Sequence, residues 1–131
     1  QEMVGEAQGD GESSHEVILG VAHDPKFGPL IMFGMGGRYV EILRDVVFRV
    51  LPMTDLDAHD MVRGIRSYRL LEGVRGERRV DIELVEELIL RLAQLVHDVD
   101  GIQELDFNPV IVSSNRAQCR IVDARVRVAA P

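Results

Sequence analysis

Two short stretches near the end of the chain hold oxygen-bearing side chains at spacings that suit a metal ion. The first is Glu104-Leu105-Asp106-Phe107-Asn108-Pro109, and the second is Asp123-Ala124-Arg125-Val126-Arg127. If they pair as an antiparallel hairpin about a turn at Asn115-Arg116, Asn108 falls opposite Asp123 and Asp106 opposite Arg125. Strand side chains alternate between faces. Glu104, Asp106 and Asn108 then share one face with Asp123, Arg125 and Arg127. Leu105, Phe107, Pro109 and Ile111 take the other face with Val122, Ala124, Val126 and Val128. One apolar and one polar face support that register. Opposed residues have Cβ atoms about 4.5–5.5 Å apart, so a carboxylate and an amide carbonyl can meet one hard cation at about 2.0–2.1 Å. Magnesium takes one or two protein carboxylates and completes its shell with phosphate and water. Zinc calls for histidine or cysteine, which this face lacks near Asn108. The same pattern also describes an ordinary solvated strand face, and Arg125 can equally form a cross-strand ion pair with Asp106.

The rest of the sequence must supply a scaffold for this hairpin. Gln1 to Val4 reads as the end of a strand, and Gly5 to Ser14 as an acidic loop rich in glycine and serine. His15–Ala22 and Leu30–Phe33 read as strands joined by the turn-like Asp24-Pro25-Lys26-Phe27-Gly28-Pro29. Gly34 to Gly37 reads as a glycine-rich break, and Val46–Leu51 as a third strand ended by Pro52. Thr54 is a good helix N-cap, with Asp55 and Asp57 in the first turn, and that helix is expected to reach about Ser67. Arg69–Arg79, with two glycines and four arginines, reads as a loop. Asp81 caps a second principal helix. Its apolar residues Leu84, Val85, Leu88, Leu92, Leu95, Val96 and Val99 recur at helical spacing before Gly101 stops it. Two strands around Ser113-Ser114-Asn115-Arg116 close the chain. Strands, then helices, then strands imply an α+β domain with a mainly antiparallel sheet and helices packed on one face.

Composition narrows the function classes. A length of 131 residues with 46% hydrophobic residues suits one domain with a core. The net charge of −7 argues against nucleic acid or an anionic membrane as partner, and no apolar run is long enough to span a bilayer. Gln1 to Asp10 does not read as a secretory leader. The single cysteine, Cys119, cannot form an internal disulfide, which suits a reducing, cytoplasmic setting. Lys26 is the only lysine, so a phosphate-binding lysine, if the chemistry needs one, is expected on another segment.

The Asp106–Asn108 and Asp123 stretches resemble the closing hairpin of the ATP-grasp domain of ADP-forming acyl-CoA synthetases. Earlier stretches agree in the same order: Glu16–Val21, Asp24–Pro29, Phe33–Gly37, Glu41–Val46 and Leu70–Gly76. The resemblance covers nearly the whole chain except Gly5 to Ser14. It implies the C-terminal lobe of an ATP-grasp fold, with Asn108 and Asp123 as magnesium ligands and Asp106 close to the ion, directly or through water. It further implies Glu16 near the nucleotide, and Glu2 and Met3 as the hinge strand beside adenine. ATP or ADP and Mg2+ are the implied ligands. The complete enzyme of this family makes an acyl-CoA from acid, CoA and ATP through a phosphohistidine on another domain, and succinyl-CoA synthetase is a relative. The lysine-bearing N-terminal lobe and the CoA-binding and phosphohistidine domains are therefore the expected partners, and this stretch is not expected to be active alone. An exposed partner-facing surface makes self-association an expectation.

Weaker candidates also stand on the sequence. Arg49 and Arg75 are possible phosphate contacts or surface residues. Gly34, Gly36 and Gly37 allow close backbone approach or a bulge, without matching a P-loop or a dinucleotide fingerprint. His15, His23, His59 and His97 share no spacing with Cys119 and read as incidental. Two competing functions remain at this level. One is a non-catalytic synthetase-like module regulating a protein lysine acetyltransferase. The other is an acidic interaction domain without a ligand.

Overall fold

The computed structural model describes residues 13–37 and 44–129. Glu2, Met3 and most of the Gly5–Ser14 loop lie outside the described residues.

Strands β1 (Ser14–Asp24) and β2 (Gly28–Met35) form the first hairpin. Asp24 builds the turn. Its Oδ1 accepts the amides of Lys26 at 2.7 Å and Phe27 at 3.0 Å, and Gly28 closes it at φ 78°, a conformation that costs glycine no Cβ clash. Strand β3 (Val46–Val50) pairs with β2. Helix α1 (Asp55–Arg63) starts on a reciprocal capping box between Thr54 and Asp57. A short helix α2 (Tyr68–Glu72) follows, then α3 (Ile82–Asp98), whose first-turn amide at Leu84 is capped by the Asp81 carboxylate. Strand β4 (Ile102–Ser113) leads through a 3-10 turn (Arg116–Gln118) to β5 (Arg120–Ile121) and β6 (Ala124–Val128), which run back along β4.

All strand pairs are antiparallel, in the order β3-β2-β1-β4-β5, with β6 also on β4. One sheet face is the core. Val17, Leu19 and Val21 of β1, Ile31, Phe33 and Met35 of β2, and Leu105, Val110 and Val112 of β4 pack against α1, α2 and α3. The α+β architecture with helices on one face is therefore as expected. Among the described residues, no helix is long and apolar enough to cross a membrane.

Several local readings change. Arg69–Arg79 is not all loop, because α2 forms around Leu71, which is fully buried. Helix α1 ends at Arg63 rather than near Ser67, with Gly64 as its C-cap. Strand β2 continues through Gly34 and Met35, so the glycine break is confined to Gly36 and Gly37. Gly34 is a packing glycine: a Cβ there would stand 2.6 Å from the Asp45 carbonyl oxygen and 2.4 Å from Val46 Cγ1. The buried stripe of α3 is Ile82, Val85, Ile89, Leu92 and Ala93, while Leu95 and Val99 face solvent. The sheet surface selects that stripe from a helix with more apolar positions than one face can hold.

From Glu104 onward the hairpin register is as read from the sequence, with Asp106 opposite Arg125, Phe107 opposite Ala124 and Val110 opposite Ile121, and it shifts by one residue at Ile102, which pairs with Val128. Its face assignment is corrected in two places: Val122, Ala124, Val126 and Val128, expected with the apolar residues, are exposed, and the alternation changes beyond Pro109. Val17 pairs with Val110 but Leu19 with Phe107, so Asn108 and Pro109 together oppose Ile18 as a bulge. The extra residue reverses the alternation. Val110 and Val112 join Leu105 on the core face, and Ile111, expected there, pairs with Glu16 outside the core cluster.

Candidate functional site

The sheet face opposite the helices carries the candidate residues. On β1 it is reached by Glu16, Ile18 and Gly20, which alternate with the core residues Val17, Leu19 and Val21. Asp106 of β4 is the register partner of Gly20, and its Oδ1 lies 3.8 Å from where a Gly20 Cβ would stand. A Cβ at position 20 would press on the Leu105 carbonyl oxygen, 3.0 Å away, and on Met32 Cε, 3.2 Å away, and would only touch Asp106.

Asn108 and Asp123 are brought face to face. The Asn108 amide donates to the Asp123 carbonyl oxygen at 3.1 Å, and the Val122 amide to Pro109 at 3.0 Å. These bonds carry the pairing across the gap between β5 and β6. The bulge at Asn108-Pro109 lies opposite that gap, so both ligand candidates sit where the ladder is irregular and side chains are re-aimed. Asn108 and Asp123 are exposed, and Asp106 is half-buried. Arg125 Nε stands 4.0 Å from Asp123 Oδ2, which sets these two side chains on one side of the hairpin. Beyond them, Arg127 donates to Glu104 at 3.1 Å and to Gln103, and its guanidinium holds the Glu104 carboxyl below the usual range.

The donor chemistry fits magnesium. Two carboxylates and one amide oxygen stand at neighbouring positions of the hairpin, and among the described residues no three His, Cys, Asp or Glu side chains gather as a self-sufficient metal cage. Such a partial shell, finished by ligand oxygens, is how magnesium is held with substrate phosphates.

Glu16 lies farther along the same face. It pairs with Ile111, four β1 residues from Gly20, hence about 13 Å from Asp106 at strand spacing. The end of β2 folds onto it. The Gly36 amide donates to the Glu16 carbonyl oxygen at 2.9 Å, and a Cβ on Gly36 would meet Glu16 backbone at 3.3 Å. Gly37, at φ 64°, lies nearest Glu16 Oε1. These glycines thus allow close approach to Glu16.

Arg49 and Arg75 are not brought to the hairpin. Arg49 pairs with the core residue Ile31 and donates to the Phe48 carbonyl oxygen at 2.8 Å. Arg75 is exposed in the turn after α2. His15 is half-buried. It lies on β1, its Nε2 is buried without a partner, and burial lowers its pKa against the raising effect of Glu77.

The supporting residue that the sequence reading missed is Asp45, 2% exposed. Its carboxylate accepts the Arg66 amide and, at 2.8 Å, the Ser67 amide, while its carbonyl oxygen accepts the Met35 amide at 3.1 Å. One aspartate thus ties the α1–α2 junction to the strand end that folds over Glu16. A lone aspartate before a β-branched strand gives no local sign of this role.

With this geometry in hand, the comparisons with known proteins are decisive for the family. Residues 1–128 match the ATP-grasp domain. The chain belongs to the ATP-grasp domain family. It is 51% identical over 111 residues to 4-hydroxybutyrate–CoA ligase [ADP-forming] of Nitrosopumilus maritimus, covering 85% of this chain and 16% of that protein. It is 48% identical over 112 residues to the beta subunit of acetate–CoA ligase [ADP-forming] II of Pyrococcus furiosus, covering 85% of this chain and 48% of that subunit. Among solved structures, acetyl-coenzyme A synthetase 1 of Ca. Korarchaeum cryptofilum, in complex with coenzyme A and Mg-AMPPCP, superposes with a TM-score of 0.81. It is 41% identical, covering 88% of this chain and 53% of that one. The resemblance to ADP-forming acyl-CoA synthetases is borne out. The chain spans about half the length of the subunit relative and about a sixth of the single-chain one.

Proposed function

We propose that this chain is the magnesium- and nucleotide-binding lobe of an ADP-forming acyl-CoA synthetase, which converts acid, CoA and ATP to acyl-CoA, ADP and phosphate. The observation that carries the reading is the direct opposition of Asn108 and Asp123, joined through their backbones at 3.1 Å on the hairpin that also bears Asp106. In this reading Asp123 and Asn108 offer oxygen ligands and Asp106 completes or steadies the shell. Bound there, magnesium supplies charge neutralisation on the nucleotide phosphates during phosphoryl transfer. Glu16, on the same face about 13 Å away, meets the nucleoside end, with Glu2 and Met3 along the adenine. ATP or ADP is the nucleotide.

The likeness to a synthetase solved with Mg-AMPPCP supports nucleotide and metal as ligands. The lysine-bearing lobe, the CoA-binding domain and the phosphohistidine segment lie outside residues 1–131 in this reading, and the lone free cysteine suits a cytoplasmic setting. Calorimetric titration of the intact protein with Mg-ATP, beside Asn108→Ala and Asp123→Ala, tests the proposal. Both variants should bind at least about tenfold more weakly, the loss of one charge-assisted contact. Affinity equal to wild type in both variants refutes the metal assignment.

A further inference from the structure

The candidate metal face carries one cation that the protein itself hardly uses. Arg125 lies opposite Asp106 in the β4–β6 ladder, and its Nε is 4.0 Å from Asp123 Oδ2, the outer limit of an ion pair. Its side chain is 83% exposed, and among the described residues no hydrogen bond holds it. Arg127, two residues on, is by contrast committed to Glu104 and Gln103. Arg49 shares its register with a core residue and is turned to the Phe48 carbonyl oxygen. Lys26, the only lysine, sits in the β1–β2 turn, at the end of β1 away from Glu16.

We propose that Arg125 is an exchangeable counter-ion, which faces Asp123 and Asp106 in the absence of ligand and turns to the terminal phosphate oxygens when a magnesium nucleotide binds. The assignment rests on the reading of Asn108 and Asp123 as the metal position. Charge favours such a group on this face, beside the lysine expected on the other lobe. The carboxylates of Asp106 and Asp123 together only balance one divalent ion, so the polyphosphate reaches this face with its own negative charge unmatched. A guanidinium presents planar, paired donors that suit two phosphate oxygens at once. An exposed ion pair at the limit of contact holds weakly, so releasing Arg125 from Asp123 is cheap. A single side chain thereby screens the two carboxylates from each other without ligand and serves the ligand once it arrives. No backbone rearrangement is needed, because Arg125 and both carboxylates already share one hairpin face.

The test uses the intact protein and two probes, Mn2+ alone and a magnesium complex of a non-hydrolysable ATP analogue, with AMP as a control lacking the outer phosphates. Arg125→Gln should weaken the analogue at least about tenfold and leave AMP unchanged, while Mn2+ alone binds as tightly as in wild type or more tightly. Arg125→Lys should recover part of the analogue affinity, which also shows that the position tolerates substitution. Asp123→Asn should lose Mn2+ as well. Analogue affinity unchanged in Arg125→Gln overturns the assignment and leaves the metal site standing. Parallel loss of Mn2+ or AMP in that variant also overturns it, since the residue would then be acting on the fold. A wild-type protein that binds neither probe refutes the metal site, and the Arg125 role with it.

Discussion

Asp45 is where a single atom group is most consequential for both the fold and the face that bears Glu16. Its carboxylate is buried and is the acceptor for two consecutive amides, Arg66 and Ser67. Asp45→Ala leaves both amides without an acceptor. Hydrogen bonds to a charged group contribute about 1.5–3 kcal/mol each. Two adjacent bonds to one carboxylate are not independent, so a loss of about 3–5 kcal/mol is expected. Asp45→Asn keeps the volume and one acceptor oxygen and should lose about half as much. Hydrogen exchange by mass spectrometry on the intact protein reads the local effect. The segment holding Arg66 and Ser67 should exchange roughly a hundredfold faster in Asp45→Ala, the ratio that corresponds to about 3 kcal/mol. The effect should travel. The Asp45 carbonyl oxygen holds Met35, and the next residue, Gly36, holds Glu16. Exchange at Gly36 should therefore rise too, and affinity for Mg-ATP should fall several-fold as Glu16 loses its support. Unchanged exchange at Arg66 and Ser67, together with a wild-type denaturation midpoint, refutes the reasoning.

Three other outcomes are expected. His15 has a lowered pKa through burial, so the unfolded chain takes its proton first as pH falls. Stability should hold above about pH 6.5, the free histidine value, and decline below it, and His15→Phe should flatten that part of a melting profile from pH 8 to 5. Gly34→Ala should cost about 1–3 kcal/mol, because the new methyl meets Val46 and the Asp45 carbonyl oxygen and must force β2 and β3 apart, readable as a lowered melting temperature. The Asp81 carboxyl is held below its usual range, first by the Arg116 guanidinium and then by the Leu84 amide. Its contribution is complete at neutral pH and lost as pH falls through that lowered value. Asp81→Ala should cost about 1 kcal/mol at pH 7 through the lost cap, and the deficit should shrink in acid denaturation below pH 3.8.

The sequence by itself determined much of the hairpin. Period-two alternation over Glu104–Asn108 and Asp123–Val128, with the polar turn between them, fixed a register that opposes Asp106 to Arg125 and brings Asn108 to Asp123. Alternation is local, so it can be read without a fold. The capping residues Thr54 and Asp81 were legible for the same reason. Other features were decided only when distant segments met. The bulge at Asn108-Pro109 is defined by β1, which counts one residue where β4 counts two, and it moved Ile111 off the core face. The stripe of α3 that became buried was chosen by the sheet beneath it. Asp45 found its amides 21 and 22 residues away, and the glycines after β2 found Glu16 across the strand pair. Such pairings depend on loop closure and packing, which no local pattern encodes. They decide how Asp106 and Glu16 come to lie on one sheet face.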